Sequence, residues 1–207
     1  MGLSNSAIVA TVIAASFAAG LNVYATIATL GLLARYKLLA LPAGLNMLDD
    51  WWVIGAAGLL FAVEFFADKV PAFDLIWNAL HTFVRVPAAA YLGYASTMQM
   101  TPGQQAMTVM LAGVVALVAH GGKTAVRAAV TPSPEPLSNI GLSVAEDVLA
   151  IGLTWFAVTY PYWAAALALV MVLLTVLLMR WVWRALHRLF RGAQRSWNEL
   201  EGAGREV

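Results

Sequence analysis

Nine side chains between positions 64 and 147 could carry acid–base or ion-binding chemistry: Glu64, Asp68, His81, Arg85, His120, Lys123, Arg127, Glu146 and Asp147. Lys69, Asp74 and Glu135 accompany them, so this segment holds six acidic groups, four basic groups and two histidines. Glu64, Glu146 and Asp147 could bind a cation or a proton. Arg85, Lys123 and Arg127 could hold anionic groups or set the pKa of a neighbouring carboxylate. The histidines could relay protons near neutral pH. All of these residues stand in or beside runs that are otherwise apolar. An ionisable group in hydrocarbon costs about 2.5–3.5 kcal/mol, so such groups pair, face water or work.

The elements that must position them follow from composition. The chain has 207 residues, of which 61% are hydrophobic and 11% charged, and its mean hydropathy is +0.77. A soluble domain carries about 25% charged residues. Residues 1–34, 86–119 and 148–179 contain no Asp, Glu, Lys or Arg. A transmembrane helix needs about 20 apolar residues. The expected class is therefore an all-α, polytopic membrane protein. A net charge of +1 gives no sign of a nucleic-acid partner, and the absence of cysteine excludes disulfides, thiolate metal sites and a cysteine nucleophile. Residues 2–34 lack a basic n-region and exceed a signal peptide's apolar length, so they read as a first span. Nothing in the sequence calls for a cofactor, and metal binding is left open.

Six spans are expected, at about 7–34, 51–67, 73–97, 106–130, 138–158 and 162–183. Gly20-Leu21-Asn22 is a break or close-packing point inside the first. Pro87 predicts a kink in the third, and Thr101-Pro102-Gly103 is a turn. Pro132, Pro134 and Pro136 must interrupt helix, because proline cannot donate a backbone bond. Residues 1–183 form the membrane domain. Residues 184–207 form a basic tail, with Arg184, Arg188, Arg191, Arg195 and Arg205 among Leu186, Leu189, Phe190 and Trp197. It reads either as an amphipathic helix on anionic lipid or as a solvated extension of the sixth span. With six spans, eight Lys and Arg fall on the side of the tail and two, Arg35 and Lys37, on the other. That count places both termini in the cytoplasm.

On this topology four helices bring polar stripes to one depth. Glu64 and Asp68 are four apart. Asp74, Asn78, His81 and Arg85 lie at offsets of 4, 7 and 11. His120, Lys123 and Arg127 lie at 3 and 7, and Asn139, Ser143 and Glu146 at 4 and 7 with Asp147 alongside. Residues at such offsets share a helix face. The expected product is a polar cavity or an ion-pair cluster towards the cytoplasmic half. Gly121-Gly122 predicts either close helix packing or an unwound, carbonyl-exposing turn. The segment from Pro71 to His81 matches that from Pro136 to Glu146 without gaps, proline on proline and polar on polar, which suggests a parallel repeat of helix pairs.

The stretches Gly20-Leu-Asn22-Val-Tyr24-Ala-Thr26, Glu64-Phe-Phe-Ala-Asp68-Lys69-Val-Pro71, His81-Thr-Phe-Val-Arg85-Val-Pro87 and Ser133-Pro-Glu-Pro-Leu-Ser-Asn139 with Glu146-Asp147 together resemble a bacterial integral-membrane family, domain of unknown function 4126. His120, Lys123 and Arg127 fit the same pattern. The resemblance covers most of residues 18–160. It implies an inner-membrane location and adds Asn22 and Tyr24 to the polar residues of interest. It implies no substrate.

Three functions compete. A small transporter or channel would use the polar cluster to pass an ion or small solute. An intramembrane enzyme on a lipid-linked substrate would use His81, His120 and the carboxylates for acid–base or metal chemistry. The chain has no His-Glu-x-x-His helix, and Gly141-Leu-Ser143-Val-Ala145 misses the nucleophile elbow at its last residue. An assembly protein would use the charges only to lock helices. Membrane lipids are the expected partners, and a homodimer is the expected oligomer.

Overall fold

The computed structural model describes residues 4–39, 41–69, 71–130 and 136–203, with side chains except at 43, 71–75, 128–130, 136–139, 186 and 189–203. Among the residues read above, Asp74, Glu135, Asn139, Leu186, Leu189, Phe190, Arg191, Arg195, Trp197 and Arg205 lie outside the described side chains. The elements are α1 (Asn5–Leu21), α2 (Val23–Arg35), a 3-10 segment (Ala43–Asp49), α3 (Trp51–Ala67), α4 (Pro71–Ser96), α5 (Pro102–Val130), α6 (Pro136–Thr159) and α7 (Pro161–Ala203). The fold is all-α, with no strand among the described residues.

Local chemistry fixes the helix starts. Four helices open on proline, whose missing N–H is no loss in the first turn. Ser4 caps α1 by accepting from the Ala7 N–H at 3.2 Å, and Asp50 caps α3 by accepting from Trp52 N–H at 2.8 Å. After α2, Lys37 takes φ 57°, a left-handed stop to the helix. Helix α4 continues through Pro87. Helix α5 runs unbroken through Gly121-Gly122, and a Cβ on Gly122 would fall 2.2 Å from Thr175 Cγ2. The glycine pair therefore serves close packing of α5 on α7.

Helix α1 is the centre of the bundle and packs on α4, α5, α6 and α7. Its buried residues include Ala14, Ala18, Ala19 and Gly20; small residues let the surrounding backbones approach closely. A Cβ on Gly20 would lie 2.5 Å from the Ala116 carbonyl oxygen.

The first apolar stretch does not make one span. Asn22 is extended (φ −149°, ψ 103°) and separates α1 from α2. Helix α6 serves as a ruler for their directions. Thr11 donates to the Ala157 carbonyl at 3.2 Å, Asn22 meets Asp147 at 2.9 Å, and the Thr26 and Thr154 hydroxyls stand 3.5 Å apart. Helix α1 thus descends α6 and α2 climbs it again. Leu30, on α2, packs with Leu45, Leu48, Leu92 and Ala95, back at the end where α1 began. In place of one helix over about 7–34 there is a helical hairpin with its tip at Asn22. The count that places both termini on one side assumes a single crossing there. The start of α1 lies beside the start of α7, where Ser6 and Tyr162 hydroxyls are 3.0 Å apart. Helix α7 then carries the chain to the opposite face.

Three helices are long and apolar enough to cross a membrane: α5 over Pro102–Arg127, α6 over Ile140–Thr159 and α7 over Pro161–Ala185. Helices α1, α2 and α3 are shorter apolar helices. Large apolar side chains face outward along the bundle, among them Leu59, Phe66, Phe83, Val148, Leu173 and Leu174. So extensive an apolar exterior is what lipid requires. The protein is a membrane protein. Trp51, Trp52, Tyr94, Tyr160, Tyr162 and Trp163 are exposed near one end of the bundle and Trp181 and Trp183 near the other, where aromatic belts belong. The starts of α4 and α6 lie at the same end, and both helices open on the matched prolines Pro71 and Pro136, as a parallel repeat requires.

Single cysteines test the fold-back. In membrane vesicles, Ser4→Cys and Asn46→Cys should react with an impermeant thiol reagent from one side, and Lys69→Cys and Arg184→Cys from the other. Labelling of Ser4→Cys together with Lys69→Cys would show a single crossing instead.

Candidate functional site

The polar stripes of α3, α4, α5 and α6 meet around the tip of the hairpin. Lys123 is the centre. Its ammonium lies 2.8 Å from Asp68, 3.2 Å from Glu146 and 3.5 Å from Glu64. Arg127 bonds Asp68 at 3.1 Å and Glu146 at 2.7 Å, and also donates to the Asp68 backbone carbonyl at 3.0 Å. Arg85 pairs with Glu64. The cations and the carboxylates of these pairs are buried; Glu146, at 11% side-chain exposure, is the most open. Three positive groups thus face three negative ones, and the attraction offsets a desolvation penalty that none could bear alone.

The hairpin tip belongs to this cluster electrostatically. A helix ends with unpaired carbonyls and a partial negative charge. Arg85 donates to the Gly20 carbonyl at 3.3 Å and Lys123 to the Leu21 carbonyl at 3.5 Å, both in the last turn of α1. The next helix begins with unpaired N–H groups. Asn22 Oδ1 accepts from the Ala25 N–H at 2.9 Å, and Asn22 Nδ2 donates to Asp147 Oδ1 at 2.9 Å. Cations close α1 and an acid stands by the start of α2, each on the side the helix dipole favours.

Hydrogen bonding fixes the state of His120. Arg85 can only donate, so His120 Nδ1, 2.8 Å from its Nη1, accepts. His120 Nε2 then carries the proton and donates to the Asn78 carbonyl at 3.0 Å, with Thr82 Oγ1 also 2.8 Å away. His120 is neutral in this arrangement. His81 is one step removed from the ion pairs. Its Nδ1 donates to the Trp77 carbonyl at 2.8 Å, and its Nε2 meets the Tyr24 hydroxyl at 3.1 Å. Tyr24 lies in the first turn of α2, so this contact ties α4 to the hairpin. Lys69, at the turn after α3, stays outside the cluster. It donates to the Phe65 carbonyl at 2.6 Å, and burial pulls its ammonium below the usual lysine range, opposed by Asp147 and Asp68.

The sequence-predicted residues therefore divide. Glu64, Asp68, Arg85, Lys123, Arg127 and Glu146 form the ion pairs. His120 and Asn78 buttress Arg85. Asn22 and Asp147 form the tip, with Ser143 buried one turn before Asp147 on α6. Tyr24 and His81 flank them. The cluster is side chain packed on side chain. A cavity of about 390 Å³ lies instead towards the other end of the bundle, between the arms of the hairpin, lined by Thr11, Leu30, Leu38, Leu92, Gln99 and Val158 among others. Residues the sequence reading missed are Thr26, Thr82 and Thr154. Each donates to the carbonyl four residues earlier while its oxygen also faces a polar partner on another helix. The Thr82–His120 contact had a signal, since Thr82 adjoins His81 on the polar side of α4.

Removing one charge should harm more than removing a balanced pair. Lys123→Met leaves a carboxylate buried without its cation, at about 3–5 kcal/mol, and should lower the yield of monodisperse protein in detergent. Adding Asp68→Asn leaves Arg85 with Glu64 and Arg127 with Glu146, and should restore much of that yield. Equal yields for the single variant and the wild type would show that Lys123 is solvated.

Residues 9–181 match the family described as Domain of unknown function (DUF4126). No curated protein and no solved structure matches the chain. The match spans most of the sequence, and the chain belongs to that family.

Proposed function

We propose that this member of the DUF4126 family is a small transporter or channel of the bacterial inner membrane, with the hairpin tip and its charge cluster as the barrier that an ion or small solute must pass. The observation that carries this reading is the break at Asn22. Irregular backbone at membrane depth is tolerated where protein covers it or where it lines a pathway, and broken helices with charged neighbours are the usual site of ion and solute binding in transporters. A cavity between the hairpin arms on one side and a charged cluster at the tip suit a closed state, with a vestibule at the Asn5 end. The cavity lining is mostly apolar, which suits a small solute with an apolar body.

In this reading α3–α7 cross the membrane and α1–α2 re-enters from the Asn5 end. Lys69, Arg127, Arg180, Arg184 and Arg188 lie towards one face, Arg35 and Lys37 at the other. The basic excess puts the tail in the cytoplasm, against anionic lipid, and the Asn5 end outside. A second reading has one observation in its favour. Among the described residues the ion pairs set three cations against three carboxylates and are almost wholly buried, as a structural lock for an assembly protein would be.

Purified protein in liposomes decides between them. Gradients of protons, sodium, potassium, short-chain carboxylates and alkylamines would each be imposed, and current or trapped-dye response recorded. Wild type should respond to at least one. The folded Lys123→Met/Asp68→Asn variant should respond to none. Wild-type vesicles as silent as protein-free ones across the whole set would favour the structural lock.

A further inference from the structure

Among the described residues of the cluster, the ion pairs leave one acid over. Glu64, Asp68 and Glu146 are met by Arg85, Lys123 and Arg127, but Asp147 has no ion pair among the described residues. It is 4% exposed. Its Oδ1 accepts from Asn22, and its Oδ2 is buried without a hydrogen-bond partner. Ser143, one turn earlier on the same face of α6, is fully buried, and its hydroxyl also lacks a partner. Two unmatched polar groups thus stand at the break between α1 and α2. The charges that face Asp147 are Lys123 from α5, and Glu64 and Asp68 from α3, with Lys69 at the end of α3. Lys123 is already shared among three carboxylates.

We infer that Asp147 is the proton-binding site of the hairpin, with Ser143 and Asn22 as its partners. A carboxylate with one amide donor is poorly compensated in so buried a place. A proton on Oδ2 removes the charge of a carboxylate that has no ion pair and gives that atom a hydrogen to donate, with the partnerless Ser143 oxygen as the candidate acceptor. A metal cation would need about six oxygen ligands, and the Gly20, Leu21 and Asn22 carbonyls at the break are already engaged by Arg85, Lys123 and Thr26. The proton is linked to the backbone break through Asn22. When Asp147 is ionised, its charge-assisted bond holds the same Asn22 side chain that caps α2; protonation weakens that bond. The side of α6 that carries Asp147 runs on to the cavity. Thr154, at offset 7 from Asp147, is buried against Thr26, and Val158, at offset 11, lines the cavity. The inference rests on the transport reading for its purpose and makes the proton the coupled or conducted ion. The binding site itself is tested without transport.

Infrared difference spectra of the purified protein between alkaline and acidic pH should show one buried carboxylic-acid carbonyl band. Asp147→Asn should remove it, Asn22→Ala should shift it, and Glu146→Gln should leave it. On wild-type protein, dicyclohexylcarbodiimide should modify Asp147, located by mass spectrometry, several-fold more at acidic than at alkaline pH. Sodium in place of choline should change neither result. Persistence of the band in a folded Asp147→Asn variant, or pH-independent labelling, would overturn the site. Displacement of the band by sodium would overturn the choice of proton. A band assigned to Asp147 in a protein that moves no ion in liposomes would leave the site standing and sink the transport reading.

Discussion

The arrangement depends on one buried ammonium. Lys123 lies within 3.5 Å of three carboxylates on α3 and α6 and of the last carbonyl of α1. Isolated, any of these groups would be expelled from the interior or neutralised. Together they join four helices and close the end of α1. A chain that stops a helix inside a bundle must satisfy the freed carbonyls and N–H groups. Here Arg85 and Lys123 meet the carbonyls, and Asn22 meets an N–H. The charge cluster and the helix break are thus two halves of one electrostatic solution.

That solution explains the distribution of polarity along the chain. Around the centre of α1 small residues dominate, because α4, α5, α6 and α7 all press on it. Polar side chains appear on α3–α6 at the depth where α1 ends. Further from the tip the space between α1 and α2 is apolar, and there the packing opens into a cavity lined by residues of α1, α2 and α4. The hairpin thus has a tip held by ion pairs and, further along, an unfilled space between its arms. If the hairpin moves, the bonds that must change are those of Asn22, Tyr24 and the Gly20 and Leu21 carbonyls.

Much of the site was legible in the sequence because charge in an apolar run has few explanations. The offsets of Glu64, Asp68, Arg85, Lys123, Arg127 and Glu146 placed them on facing stripes, and they do meet. Gly20-Leu21-Asn22 stood out as a break or a close-packing point, and it is both: Gly20 packs on Ala116 and the helix breaks at Asn22. Its consequence was not legible. An uncharged run from 1 to 34 is compatible with one long helix or with two that fold back, since both are equally apolar. Length alone gave a hint, because about 28 residues exceed what one crossing needs. The threonines that bridge helices were missed for a related reason: a hydroxyl bonded to its own helix looks neutral in sequence. The histidines looked equivalent, yet one is locked by Arg85 and the other faces a tyrosine. Only tertiary contacts separate them.

The central claim is that the first apolar stretch turns back at Asn22 and is held there by the cluster. The most direct test is the distance between spin labels at Asn5→Cys and Leu38→Cys, both exposed positions, measured by pulsed electron resonance in lipid bilayers. The fold-back predicts a separation well below the bilayer thickness of about 30 Å, since both arms end at the same face. A single continuous helix would hold the labels roughly 50 Å apart, at 1.5 Å per residue. A distance of that order would contradict the hairpin and the account of the charges built on it.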